Sequence, residues 1–591
     1  MNKGIKFVNG IEEKMRQKTI IALLVLTVLF VLQSYVYAQS QPRQLRQNYQ
    51  QLRSESQRLK SQGYNVSELI KLDCQIRQAY EERNFEKVEE LHHEAELVIR
   101  KLKGLGSKKI EFIVQKERII PPVIWSTKAT FAEPPFGVTF GHRYKGETFI
   151  QYIKELAINQ THISLRWLTI EPKKGRFDWK YLDNFLGQID KDTIALIRLK
   201  SCSNWATKIK HAKTSSFPLS LEDYYNFVYQ TVKRCKSKVK YFENDWEADV
   251  KGQWMGTAEE YVKTLKIFYK AVKEASPGAK VIVGGHSGGF NGNIPGNKTF
   301  FDHIFKEGKD YFDFFDIHLY DDLYTIPYRV HWFKNRMKEL GFEKPIVCTE
   351  LGGPSPFQFE EAKEIKNEAI EILKKREYKK EDYNAVKNYL KIARELAQEK
   401  SKDSPILQMF IQSSPPQLEE KRHRIHCRDI VQRHTLALSS GIAKIWYWSL
   451  THRNVRGFSI VFGKMCLTDR ELNKRHPAFY SYQRMVKKLK GLQSIERLET
   501  KDEDLYLFKI KNKGGKKAYI LWERRDLFTG EEESSITFEF KTSWKNVKIT
   551  DVFGKEKVRS TKRGLVTLEI TDTPLYLEEL EREDVSSYND L

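Results

Sequence analysis

The sequence contains no CxxC pair: its six cysteines, at positions 74, 202, 235, 348, 427 and 466, are widely and irregularly spaced. That spacing excludes a zinc ribbon or dithiol redox centre, while one or two disulfides of unread pairing remain open. The histidines show no HExxH spacing, so no metal or other cofactor is expected. There is no nucleic-acid-binding motif. Only one long apolar run occurs. It extends from Thr19 to Leu32, behind Lys14, Arg16 and Lys18 and ahead of Tyr35-Val36-Tyr37-Ala38. Residues 1–38 therefore read as a secretory signal cleaved after Ala38, and an uncleaved anchor is the alternative because Thr19 to Ala38 could span a bilayer. Both readings place the remainder outside the cytoplasm, whether periplasmic, at the cell surface or secreted.

What is present is an ordinary globular composition, 40% hydrophobic, 12% aromatic and 30% charged. Disorder is not the default for such a chain. At 591 residues it is too long for one core. The formal charge of +23 favours anionic surroundings such as acidic polysaccharide, cell-wall polymer or a lipid surface, hence a cell-envelope association. A basic surface kept soluble by repulsion is the bland alternative. Oligomeric state is not legible.

Between residues 39 and 106 the apolar residues recur at helical steps: Leu45, Tyr49, Leu52, Leu59, then Val66, Leu69, Leu72, Ile76, Tyr80, then Val88, Leu91, Ala95, Val98, Leu102. A helical hairpin or three-helix unit is expected there. From 107 to 490, short β-type runs alternate with helical stretches. The candidate strands are Phe136–Phe140, His162–Leu168, Thr193–Leu199, Val239–Phe242, Val281–Gly284, Phe314–Tyr320, Ile346–Thr349 and Lys444–Trp448. Eight strands with intervening helices predict an α/β fold of the (β/α)8 TIM-barrel type, with a helical insertion over 359–420 that is either decorative or a substrate-shaping lid. A doubly wound sheet would bring a Gly-rich phosphate loop after the first strand, and Phe140-Gly141-His142 offers none. From 491 to 581 the alternation becomes strand-like and predicts an antiparallel β-sandwich, with 582–591 as a tail.

In such a barrel the site gathers where the strands end. Val239-Lys-Tyr-Phe-Glu-Asn-Asp-Trp-Glu places Asp245 and Glu247 just past the fourth strand, and Pro345-Ile-Val-Cys-Thr-Glu places Glu350 at the end of the seventh. A carboxylate directly after a buried strand is costly unless paired or used. Two carboxyl groups flanking one bond are what glycoside cleavage requires. Softer candidates are Arg166, which could hold Glu350 ionised, His318 and Tyr320, which could orient Glu350 or touch sugar hydroxyls, and His286 on a Gly-rich loop after the fifth strand. Trp205 and Trp448 could stack on a sugar ring, whereas Trp446 reads as core.

The stretches Arg166-Trp167, Ile170-Glu171-Pro172 through Gly175-Arg-Phe177-Asp178-Trp179, Asn244-Asp245, Gly256-Thr257-Ala258-Glu259-Glu260-Tyr261 and Thr349-Glu350 resemble clan A retaining glycoside hydrolases, closest in tone to family 39 and its unclassified relatives. Thr550-Asp551-Val552-Phe553-Gly554 and Thr573-Pro574-Leu575-Tyr576 resemble the sandwich appended to such barrels. The resemblance implies an oligo- or polysaccharide substrate, Glu350 as nucleophile, and a fourth-strand Glu as acid/base preceded by an Asn that binds the sugar 2-hydroxyl. Here the chain departs from the pattern. Asn244-Asp245 keeps the Asn and shortens the acid, while Glu247 keeps the acid and puts Trp246 where the Asn belongs. Position along the strand favours Asp245. The departure motivates a second reading, a catalytically impaired carbohydrate-binding or cell-surface protein on a glycosidase scaffold.

Overall fold

The computed structural model describes residues 66–104 apart from 82 and 83, and 128–580 apart from 142–143, 211–212, 236–237, 292–293, 376–382, 403, 412–413 and 453–462, with scattered positions between 52 and 59. The signal segment and the 582–591 tail lie outside the described residues. The chain divides into two compact units, Met1–Arg118 and Ile119–Leu591.

In the first unit, helices Ser67–Glu81 and Phe85–Gly104 turn about Asn84, whose side chain accepts from the Lys87 backbone N–H at 3.1 Å. Their apolar stripes, with Leu69, Leu72, Ile76, Val88, Leu91, Ala95 and Val98, form a small core that also takes in Leu52, Leu59 and Val66. Period-3.6 patterning dictates this face-to-face burial.

The second unit is built on a closed parallel barrel of β1 (Phe136–Thr139), β2 (Gln160–Arg166), β3 (Ile194–Lys200), β4 (Val239–Asn244), β5 (Lys280–His286), β6 (Phe314–Ile317), β7 (Ile346–Leu351) and β8 (Ile442–Tyr447). Every strand pairs with its sequence neighbour and β8 closes onto β1. Because side chains alternate along a strand, Leu196, Tyr241, Ile282, Val347 and Trp446 meet inside the barrel as one apolar layer. The next inward positions are polar and are described below.

Several helices fix the strand ends. Helix Ala258–Ala275 starts on a Thr257–Glu260 capping box, and its Tyr261 hydroxyl donates to the Asn244 carbonyl at 2.7 Å while accepting from Gly284 N at 2.9 Å. That contact ties β4 to β5 where the site begins. The insertion after β7 is a helical pair, Glu360–Lys375 and Tyr383–Lys400, with its own apolar core. Its base, through Phe359, Ile406, Met409 and Phe410, packs with Leu527 and Phe528 of the sandwich.

The C-terminal strands form a seven-stranded antiparallel sheet facing the hairpin of Ile536–Lys541 and Leu565–Ile570. The sheet recruits Lys128–Thr130, from ahead of the barrel, to pair with Leu492–Leu498. Sequence alternation missed this strand because it is only three residues long. Cys202, Cys235, Cys348 and Cys427 are buried thiols with no bridge between them, so the disulfides the spacing left open do not join these four.

Trp446 is fully buried and plugs the barrel beside Tyr241, with ring centroids 5.8 Å apart. Trp446→Ala is expected to cost about 3–5 kcal/mol, as large aromatic truncations in closed cores do. Denaturant melts compared with wild type check this.

Candidate active site

Above the apolar layer, the inward positions of the strands carry Thr139, His162, Arg198, Glu243, Asp316 and Thr349, all fully buried. Arg198 is the hub. Its Nε donates to Glu243 Oε2 at 2.8 Å, Nη1 to Glu350 Oε1 at 2.5 Å and Nη2 to Thr349 Oγ1 at 2.9 Å. Burial pulls the guanidinium down, and the charges of Glu243 and Glu350 more than offset this, so Arg198 sits above its ordinary value. The sequence offers Arg166 as a residue that could hold Glu350 ionised. Arg198, one strand further on, makes an ion pair with Glu350, and Arg166 ends β2 with its charge felt by Lys200.

Glu350 is held on both oxygens, since Tyr320 donates its hydroxyl to Oε2 at 2.5 Å. Beside it, His318 Nδ1 lies 2.9 Å from Glu247 Oε1 and 3.6 Å from Glu350 Oε2, and Nε2 lies 3.2 Å from Asp316 Oδ2. Burial disfavours the imidazolium, but Glu350, Asp316 and Glu247 together raise His318 well above the usual histidine value. Glu247 is pushed up by burial and pulled down further by the His318 hydrogen bond and charge, ending below its ordinary value. One oxygen of Glu247, one of Glu350 and a His318 nitrogen all lie within 4.8 Å of one another, as do ligand atoms of Glu243, Asp316 and His318. His318 is common to both clusters.

Asp245, the favoured partner from sequence, does not face Glu350. Its carboxyl is buried against the loop after β3, accepting from Ser201 Oγ at 2.6 Å, Ser201 N at 3.2 Å and Ser215 Oγ. The cause is local backbone. Asp245 and Glu247 adopt left-handed φ of 59° and 45°, which swing Asp245 sideways and aim Glu247 at His318. Asn244 is also a correction: its Oδ1 accepts from Tyr224 of helix Leu221–Arg234 at 2.9 Å, on the outer face of the barrel. Trp246 takes the inner position, with Arg198 and Lys200 over its ring at 5.3 and 4.0 Å.

Of the remaining candidates, Trp448 clusters with Tyr320 and Met465, and its ring lies 6.5 Å from that of Trp246. Trp205 turns aside, donating to the Glu171 carbonyl at 3.0 Å and meeting Trp167 edge-on. His286, expected on an open loop, is instead buried. It is wedged between Phe301 and Phe333 of the helix layer, accepts from Gly288 N at 3.0 Å, and is pulled by burial to about 3. Sequence reading missed Arg198, Glu243, Asp316 and Trp246. The first three carried a signal, a charged residue at an inward position of an otherwise apolar run, as in Ile194-Ala-Leu-Ile-Arg198-Leu.

A cleft of about 730 Å³ lies elsewhere, lined by Leu418, Lys421, Arg428, Phe528 and Glu531, and no residue of the carboxylate cluster lines it.

No family model matches the sequence, and no curated protein matches it. Solved structures do. A family 39 glycoside hydrolase from the gut symbiont Bacteroides cellulosilyticus WH2 aligns over 76% of this chain and 81% of its own, at 16% identity and a TM-score of 0.52. A GH30 endoxylanase from Clostridium papyrosolvens C71 (11% identity, 77% and 98% coverage, TM-score 0.44) and a family 51 α-L-arabinofuranosidase from Bifidobacterium longum (10%, 77% and 99%, 0.45) align more loosely. The chain thus has the fold of a barrel glycoside hydrolase, a (β/α)8 barrel with a β-sandwich. Among the solved structures it resembles, the family 39 enzyme shares this fold; the looser two add nothing to that.

His318 is expected to keep its second proton at pH 7–8, where an ordinary histidine of pKa about 6.5 is neutral. Histidine 1H–15N spectra of wild type and His318→Gln check this: the difference should be one imidazolium that persists to alkaline pH.

Proposed function

We propose that the protein is an exported retaining glycoside hydrolase in which Glu350 is the nucleophile and Glu247 the general acid/base. The single observation carrying this reading is the approach of Glu247 and Glu350 to within 4.8 Å across His318. Carboxyl groups about 5–5.5 Å apart suit a covalent intermediate, whereas inversion uses about 6.5–9.5 Å to admit water.

In the first step a Glu350 oxygen attacks the anomeric carbon, the glycosidic bond breaks, and the leaving oxygen takes a proton from Glu247. In the second, Glu247 takes a proton from water, the resulting hydroxide displaces Glu350, and the sugar leaves with its starting configuration. Arg198 and Tyr320 fix the attacking carboxylate. His318 keeps a proton 2.9 Å from Glu247, so the pair holds what the leaving group needs. Trp246 and Trp448 offer aromatic surface beside the carboxylates. The +23 charge favours an acidic glycan and a place in the cell envelope.

The outward turn of Asn244 favours one second reading, a carbohydrate-binding barrel with weakened catalysis. Removing the acid/base discriminates. Glu247→Ala should lose about 10²–10⁴-fold in turnover of substrates needing protonation, recover with azide, and yield a β-azide from a β-glycoside. Asp245→Ala should lower thermal stability, because Ser201 and Ser215 lose their acceptor, and show no azide rescue. Glycan binding with no turnover by wild type across an aryl-glycoside panel favours the second reading.

A further inference from the structure

Glu243 takes no part in the proton and bond changes just described, yet it is fully buried beneath them. It faces Arg198 on β3, His162 on β2 at 3.9 Å, Asp316 on β6 and His318 just past it, and Glu350 on β7 across Arg198. Where β5 passes, Gly285 brings nothing titratable.

The four carboxyl groups of this cluster are unequally supported. Asp316 accepts from Thr349 N at 2.8 Å, Thr349 Oγ1 at 2.6 Å and His318 Nε2 at 3.2 Å. Glu350 accepts from Arg198 and Tyr320, and Glu247 faces His318. Glu243 has one donor, Arg198 Nε, and its Oε1 is buried with no partner. His162 is equally telling. Thr139 gives its only hydroxyl proton to the Thr349 carbonyl at 3.1 Å, so its 3.0 Å contact with His162 requires Nδ1 to donate. Neutral His162 then presents an Nε2 lone pair, also buried and without a partner, on the Glu243 side. This layer has one acceptor too many and lacks a donor.

Charge points the same way. Four carboxylates against the cations Arg198 and His318 leave two excess negative charges in a dry interior, which is costly. The proton that serves the leaving group is the one His318 holds against Glu247, already counted in that sum. We propose that a further proton resides on Glu243, a positioning residue kept as the neutral carboxylic acid so that the Arg198 charge is committed to Glu350. This rests on the glycosidase reading only for its catalytic consequence.

Burial supports the assignment by lifting Glu243 from 4.5 to about 8, against the pull of Arg198. A folded-state value raised in this way contributes stability that is present below 4.5 and lost as pH rises through about 8. Above that, two carboxylates share one guanidinium and the grip on Glu350 weakens.

The test compares full-length wild type with Glu243→Gln, an amide of the same shape as the neutral acid. Infrared spectra at pH 6 with 13C-glutamate labelling should show a protonated carboxyl band in wild type that disappears in the variant and also disappears from wild type above about pH 8. Thermal midpoints should fall with pH in wild type by more than in Glu243→Gln. With an aryl glycoside, the alkaline limb of kcat/KM should move to higher pH in the variant. An absent Glu243 carboxyl band, or parallel stability curves, overturns the proposal. So does failure of Glu243→Gln to fold at pH 6, which would mean that Arg198 requires the ionised form. The infrared and melting readouts need no turnover, so their failure is distinct from failure of the glycosidase reading.

Discussion

Everything at the mouth of this barrel depends on one buried guanidinium. Arg198 points inward from β3 and directs its three kinds of donor to two other strands: Glu243 on β4, and Glu350 and Thr349 on β7. A lone cation inside a barrel would be prohibitively costly, so its presence obliges carboxylates to converge on it. Convergence places Glu350, and Thr349 passes the order on to Asp316 and thence to His318. Loss of that one side chain would leave buried acids without their shared partner.

The second constraint is a pair of left-handed residues after β4. Asp245 and Glu247 have φ of 59° and 45°, and the two reversals distribute consecutive side chains in three directions. Asp245 is bound by serines, Trp246 lies under Lys200 and Arg198, and Glu247 reaches His318. A regular strand continuation would have done the opposite, with Asp245 in the site.

The barrel was legible because period-2 apolar runs separated by helical stretches leave few alternatives, and each of the eight candidate strands overlaps an observed one. Glu350 was legible because its strand is apolar up to the carboxylate. The choice between Asp245 and Glu247 was not, since non-glycine left-handed φ values leave no mark in composition and depend on tertiary contacts. His286 misled for a related reason: the glycines around it suggest an open loop, but β5 continues to His286 and the ring turns into a layer of phenylalanines. Arg198 and Glu243 were visible as charges in apolar strands, yet only the folded barrel shows that they meet.

The central claim is that Glu350 forms a bond to sugar. The direct measurement is incubation of the full chain with a panel of activated 2-deoxy-2-fluoro glycosides, followed by intact-mass and peptide mapping. The expected result is a single added fluorosugar on the peptide carrying Glu350, absent in Glu350→Gln. An adduct on another carboxylate, or no adduct with any member of a panel whose parent glycosides the protein hydrolyses, would contradict it.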